Sequence, residues 1–236
     1  MIYWISKSNL MTMIQQTNLF NTDPQVAGCK LDYMEVWNWG TFNDKDYRLN
    51  PKGNNSLLTG ANASGKSTLI DALLTLLVPL KRQRFYNQSS GVERKGNRTE
   101  ETYFLGNYGQ KQEGDSGVSS LKLRDKNARS VLLAMFTNLD GRVVTIFQVR
   151  YYSGEGLRTV YGMAYKPLTI SQNFAAFDSN GLWRKRMEKE FNSGSTKRII
   201  EFFDGPVSYE QKMLVVFGMR SEKALTLFNQ IVGVKV

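Results

Sequence analysis

The residues best equipped for chemistry are Gly60-Ala61-Asn62-Ala63-Ser64-Gly65-Lys66-Ser67-Thr68, which fit G-x-x-x-x-G-K-S/T, a phosphate-cradling pattern. Gly60 and Gly65 permit backbone turns that a β-carbon obstructs. Successive backbone N–H groups can then face inward as an anion nest. The N-terminus of a following helix adds unpaired donors and partial positive charge. Lys66 is placed to reach the β- and γ-phosphates of a nucleoside triphosphate and is the candidate catalytic cation. The Ser67 hydroxyl is the candidate ligand for Mg²⁺, and Thr68 falls on the α-phosphate side.

Such a loop needs a strand before it and a helix after it. Ser56-Leu57-Leu58-Thr59 reads as a short buried strand. Residues 69–77 read as a helix, apolar on nearly every side and therefore buried, stopped by Pro79. Asp71 is its one charge, and a structural partnership suits it better than catalysis. Upstream, residues 30–38 alternate as a first strand, Trp39-Gly40-Thr41-Phe42 bends, and Tyr47-Arg48-Leu49 returns. The loop thus follows an antiparallel hairpin, a layout that suits an ABC-type ATPase more than a Ras-like switch.

Downstream, residues 81–87 form a basic, aromatic-containing segment that fits either a solvated surface or a nucleotide-side or DNA-side patch. A Ser/Gly-rich loop follows, and residues 111–120 read as a mobile loop. Residues 130–136 and 143–152 are strong strands joined by the turn Asn138-Leu139-Asp140-Gly141, and residues 159–165 return. Residues 183–191 read as a basic helix or loop, and residues 195–203 and 209–217 as helices. A last helix opens at Ser221, a plausible N-cap, and runs to Gln230. The expected fold class is α/β, a P-loop NTPase with a mixed sheet and an antiparallel meander around a buried P-loop helix.

Composition narrows the chemistry. The chain of 236 residues carries a net charge of +10 and 41% hydrophobic residues, enough for a core and suited to a polyanionic partner such as nucleic acid. The absence of histidine removes Ser-His and Cys-His nucleophile systems and the usual zinc sets. One cysteine, Cys29, excludes an internal disulfide and fits a reducing cytoplasm. No apolar run approaches the ~20 residues of a membrane-spanning helix, so no membrane association is expected. A P-loop ATPase also needs a hydrophobic strand ending in an acid. The candidates, Ile199-Ile200-Glu201-Phe202-Phe203-Asp204 and the run from Val131 to Asp140, fit poorly, and no Ser-Gly-Gly signature occurs.

One half of a nucleotide site is therefore present and the other is not, a division that resembles the N-terminal part of the ATPase head of SMC-like, condensin-type proteins. Asn38-Trp39-Gly40-Thr41-Phe42 resembles that family's opening hairpin, and Arg150-Tyr151-Tyr152-Ser153-Gly154-Glu155 is similar to its strand and turn. Several stretches further resemble the JetC-type condensin subunit of the Wadjet plasmid-defence system. They are Phe20-Asn21-Thr22-Asp23-Pro24, again Asn38-Trp39-Gly40-Thr41-Phe42, residues 60–73, Arg84-Phe85-Tyr86-Asn87 with Arg98-Thr99, and residues 221–234 with Leu227-Phe228-Asn229-Gln230. MukB-like and MksB-like chromosome-organising condensins remain alternatives.

The resemblance implies an ABC/SMC head fold with residues 1–27 as a flexible N-terminal extension. Residues 28–236 are then the N-terminal half-head of a longer chain, its C-terminal half and coiled coil lying outside this fragment. It implies ATP and Mg²⁺ as cofactors, with Trp39 and Thr41 beside the nucleotide, and Gln211 or Gln230 as the glutamine that senses Mg²⁺ and γ-phosphate. Gln148, in mid-strand, suits that role less. It also implies ATP hydrolysis in a head homodimer once the missing half is supplied. Implied partners are non-specific double-stranded DNA and kleisin, winged-helix and nuclease subunits. Beyond the family, a stand-alone P-loop kinase or GTPase and a non-enzymatic nucleic-acid binder stay open.

Overall fold

The computed structural model describes residues 28–84, 86, 98–113, 117–175 and 181–219. The expected N-terminal extension, the Ser/Gly-rich loop over residues 88–97 and the helix from Ser221 lie outside the described residues.

β1 (Lys30–Trp37) and β2 (Tyr47–Leu49) form the opening hairpin, with Val36 opposite Tyr47. The P-loop helix α1 spans Lys66–Leu77, and a short helix α2 spans Glu100–Leu105. β3 (Asn107–Glu113) and β4 (Gly117–Lys122) pair only as a two-stranded ribbon. The meander follows as β5 (Arg129–Thr137), β6 (Val143–Ser153) and β7 (Gly156–Ala164). Then come α3 (Ile170–Asn173), α4 (Leu182–Asn192), β8 (Ile200–Phe203) and α5 (Pro206–Val216). The main sheet has the order β2-β1-β5-β6-β7-β8.

The central strands are apolar on both faces because helices cover both. The two-residue period of a strand sorts their side chains into two cores. On one face Tyr33, Leu133, Phe147 and Val149 meet Phe174, Trp183 and Met187 of the α3–α4 side. On the other, Val36, Leu132, Ala134 and Ile146 meet Ala72 and Leu76 of α1 and Tyr209 and Met213 of α5. The P-loop helix therefore rests on the middle of the sheet, over β1, β5 and β6.

The expected meander and hairpin are present, and four expectations change. Every pairing among the described strands is antiparallel, and residues 56–59 belong to no strand, so the parallel component of a mixed sheet is missing here. A strand exists only through its ladder, and this segment has no ladder partner among the described residues. The P-loop helix is not buried all round: Ile70 is 46% exposed, and Leu69, Leu73 and Leu77 are half-buried. Part of the segment expected as a mobile loop over residues 111–120 is the β3–β4 ribbon. Finally, residues 200–203 form a strand and not a helix. The Ile-Ile and Phe-Phe pairs suit a pleated surface, and the Asn192 side chain accepts from the Ile199 and Ile200 N–H groups at 2.8 and 3.0 Å, steering the chain into the edge.

Candidate nucleotide site

The loop takes the turns its residue types allow. Gly65 is the N-cap of α1 in a left-handed conformation, φ +91°, and Ala63 has φ +63°. No side chain caps the helix, and its first internal bond runs from Leu69 N–H to the Gly65 carbonyl at 2.9 Å. The amides of Lys66, Ser67 and Thr68 therefore point out of the helix end without intrahelical partners. Residues 60–64 are exposed and residues 65–68 half-buried, so this cradle opens to solvent.

Lys66 folds back over the loop. Its Nζ donates to the carbonyls of Gly60 at 2.6 Å and Ala61 at 2.7 Å, and to Ser64 Oγ at 3.4 Å. The ammonium thus sits at the mouth of the cradle, where it can exchange neutral carbonyls for phosphate oxygens. Amides at a helix end, a flexible cation and the hydroxyl of Ser67 fit a triphosphate and its Mg²⁺ ion chemically.

The opening hairpin supports the loop from behind. A Cβ on Gly40 would stand 2.4 Å from Thr68 Cγ2, and a Cβ on Gly65 would stand 2.9 Å from the Phe42 ring. Gly40 has φ +56°, so glycine is required there for both conformation and space. Thr41 is exposed beside this contact. Trp39 differs from expectation: it is fully buried, stacked on Tyr103 with centroids 4.8 Å apart and with Arg150 over its ring. Its ring is committed to holding the turn, and Thr41 is the turn's exposed residue.

Beneath the helix lies a buried polar network that the sequence did not announce. Asp71 is fully buried, accepts a short hydrogen bond from the Tyr103 hydroxyl and faces Arg98 at 3.4 Å, a structural partnership as expected. Burial, with Asp71 beside it, drives the Tyr103 hydroxyl well above its ordinary range. Thr75, one turn further, bonds the Tyr86 hydroxyl at 2.9 Å. Arg84 joins that hydroxyl at 2.8 Å to Glu100 at 2.5 Å, and its remaining donors close the carbonyls of Val78 and Pro79 just past the helix. Burial alone would raise the Glu100 carboxyl, but Arg150, Arg84 and Lys81 together hold it at about 2. Gln148 donates to the Thr75 carbonyl at 2.9 Å and accepts from Arg150, so it serves the helix end.

The two candidate acidic strands do not join this site. β8 is the far edge of the sheet, two strands from β6, where Glu201 pairs with Lys212 at 2.9 Å and Asp204 with Arg184 at 2.5 Å. Asp140 lies in the β5–β6 turn with Arg142 at 2.9 Å. Gln211 is exposed on α5, and Gln230 lies outside the described residues. Among the described residues no cluster of three acidic or cysteine ligands occurs, and no helix is long and apolar enough to cross a membrane.

The family comparison falls on the same residues. Residues 31–93 match the family model described as the P-loop containing region of AAA domain, which spans the hairpin, the cradle and α1. A solved chain reported under "Structural biochemistry of ATP-driven dimerization and DNA stimulated activation of SMC ATPases" is similar at 17% identity and a TM-score of 0.36, covering 67% of this chain and 91% of that one. No curated protein matches this chain. Residues 60–68 thus lie within the stretch that matches a P-loop containing region.

Proposed function

We propose that this chain is the ATP-binding, N-terminal half of an SMC-like ATPase head, which drives DNA translocation or loop extrusion in a Wadjet-like plasmid-defence complex. The observation that carries the half-head reading is the asymmetry around α1. Lys66 is poised in a formed cradle, while the segment leading into it has no strand partner among the described residues and Leu57 is 88% exposed. Leu57 and, on α1, Ile70 are exposed apolar groups that a complementary half adding a strand and its acid would cover.

In this reading Lys66 and the amides of residues 65–68 hold the triphosphate, and Ser67 holds Mg²⁺. Thr41 borders the nucleotide, and Gln211 or Gln230 belongs to the sensing loop. The Wadjet assignment rests on the quoted sequence stretches, and it brings the homodimer of heads and the kleisin, winged-helix and nuclease partners with it. Non-specific DNA contact is supported by the +10 charge and by exposed Lys185, Arg186, Lys189, Lys197 and Arg198 on and after α4.

Steady-state ATP turnover tests this. The purified chain is expected to bind ATP with little hydrolysis, and to hydrolyse when the chain region carrying the acidic strand and signature is supplied. Brisk turnover by this chain alone would instead support a self-contained kinase-like or GTPase-like enzyme.

A further inference from the structure

The turn that backs the cradle is held partly by its own backbone. Residues 38–43 leave β1, a bridge from Trp39 to Phe42 closes them, the Asp44 N–H donates to Asn38 Oδ1 at 2.8 Å, and the Gly40 N–H donates to the Tyr103 carbonyl at 2.7 Å. Five further bonds come from Arg124, which lies just past β4 and far from the turn in sequence. Its Nε donates to the Phe104 carbonyl at 2.7 Å. One terminal nitrogen donates to the Phe42 carbonyl at 3.3 Å and to Asn43 Oδ1 at 2.8 Å. The other donates to the carbonyls of Gly40 and Tyr103, each at 2.8 Å. A guanidinium carries five N–H donors in a fixed plane, and here they are committed to the turn and to the end of α2.

The side chain is buried, and burial pulls its pKa down to about 10, so it keeps its charge at neutral pH. Arg124 thereby joins two elements. One is α2, whose Tyr103 reaches Asp71 of the P-loop helix. The other is the turn, whose Gly40 touches Thr68 and whose Phe42 covers Gly65.

We propose that Arg124 is a positioning residue of the nucleotide site: by clamping the 40–43 turn to α2, it sets the backbone shape of Gly65 to Thr68 that receives the phosphates. This rests on the P-loop reading above. A lysine keeps the charge but cannot present the planar fork, so it cannot hold the same acceptors together.

Calorimetric titration of Mg-ATP into the full chain tests this, comparing wild type with Arg124→Lys, Gly40→Ala and the double variant. Melting curves run alongside, and Lys66→Ala serves as the control for the cradle. Arg124→Lys is expected to weaken ATP about tenfold, since small displacements at a positioned site carry large effects, while melting only slightly earlier. Because both substitutions act through the same turn, the double variant is expected to bind about as weakly as the weaker single one.

ATP affinity unchanged in Arg124→Lys, or losses that simply multiply in the double variant, would overturn the proposal. If Arg124→Lys melts early, Asn43→Ala, which removes one acceptor at the margin of the clamp, is expected to weaken ATP by about two- to threefold. No loss there overturns the proposal equally. A wild-type chain that binds no ATP marks failure of the nucleotide-site reading itself, whereas tight wild-type binding with indifferent Arg124 and Asn43 variants marks failure of this inference alone.

Discussion

The β5–β6–β7 meander and the segment running into the P-loop differ in how their polar backbone and apolar side chains are satisfied. In the meander each strand pairs with the next, register is continuous from Arg129 opposite Tyr151 to Ser153 opposite Gly156, and both faces are covered. Residues 56–59 are expected as a strand but pair with none among the described residues, and Leu57 faces solvent. The meander closes with residues a short distance along the chain. In the proposed reading, the P-loop segment takes its neighbour from elsewhere. An unpaired backbone beside exposed apolar groups invites another chain segment. In the half-head reading proposed above, the difference separates a frame closed by local pairing from a site completed by a complementary segment.

The largest expected effect breaks the finished side. Arg84→Ala leaves Glu100 buried without its closest cation and opens the carbonyls beyond α1. Removing one partner of a buried pair typically costs about 3–5 kcal/mol, and urea denaturation is expected to show a loss of that order. A loss within experimental error would mean that the network is dispensable.

The same network has a pH signature. Glu100 is held at about 2, below its ordinary value of 4.5, so its stabilisation is complete above the ordinary value and fades as pH falls toward 2. The stability margin of wild type over Glu100→Gln is therefore expected to shrink between pH 4.5 and 2. A margin that stays flat, or grows, across that window contradicts the ion-pair assignment.

The smallest effect belongs to the unfinished side and sharpens the contrast. Leu57→Ser is expected to change the stability of the isolated chain by no more than about 0.5 kcal/mol, as exposed substitutions usually do. The same change is expected to weaken association with a complementary half-head. A large loss of stability in the isolated chain would show that Leu57 is already packed.

Much of this was legible in the residues. The cradle follows from Gly60 to Thr68, because glycine placement, lysine and hydroxyl are local requirements. The meander follows from two-residue alternation and the Asn138–Gly141 turn, also local. What escaped depends on partners distant in sequence. Glu100 gives no sign that it will be buried between Arg84 and Arg150. Trp39 looks like a nucleotide contact until its stacking on Tyr103 is seen. Arg124 stands in an ordinary polar stretch, and its acceptors on the turn lie more than 80 positions away. The Thr99 capping box of α2, with Thr102 in the reciprocal place and Gly106 ending the helix, was readable in principle from Thr-x-x-Thr and the following glycine. Residues 195–203 misled because Ile199, Ile200, Phe202 and Phe203 suit a short strand as well as a helix, and only the free edge of β7 decides.

The central claim is that Gly60 to Thr68 grip a nucleoside triphosphate through Lys66. Calorimetric titration of Mg-ATP into the wild-type chain and into Lys66→Ala, with circular dichroism to confirm equal folding, measures it directly. The account predicts saturable binding to wild type and none detectable in Lys66→Ala. Equal affinity in the two proteins, or no binding to a folded wild-type chain, would contradict it.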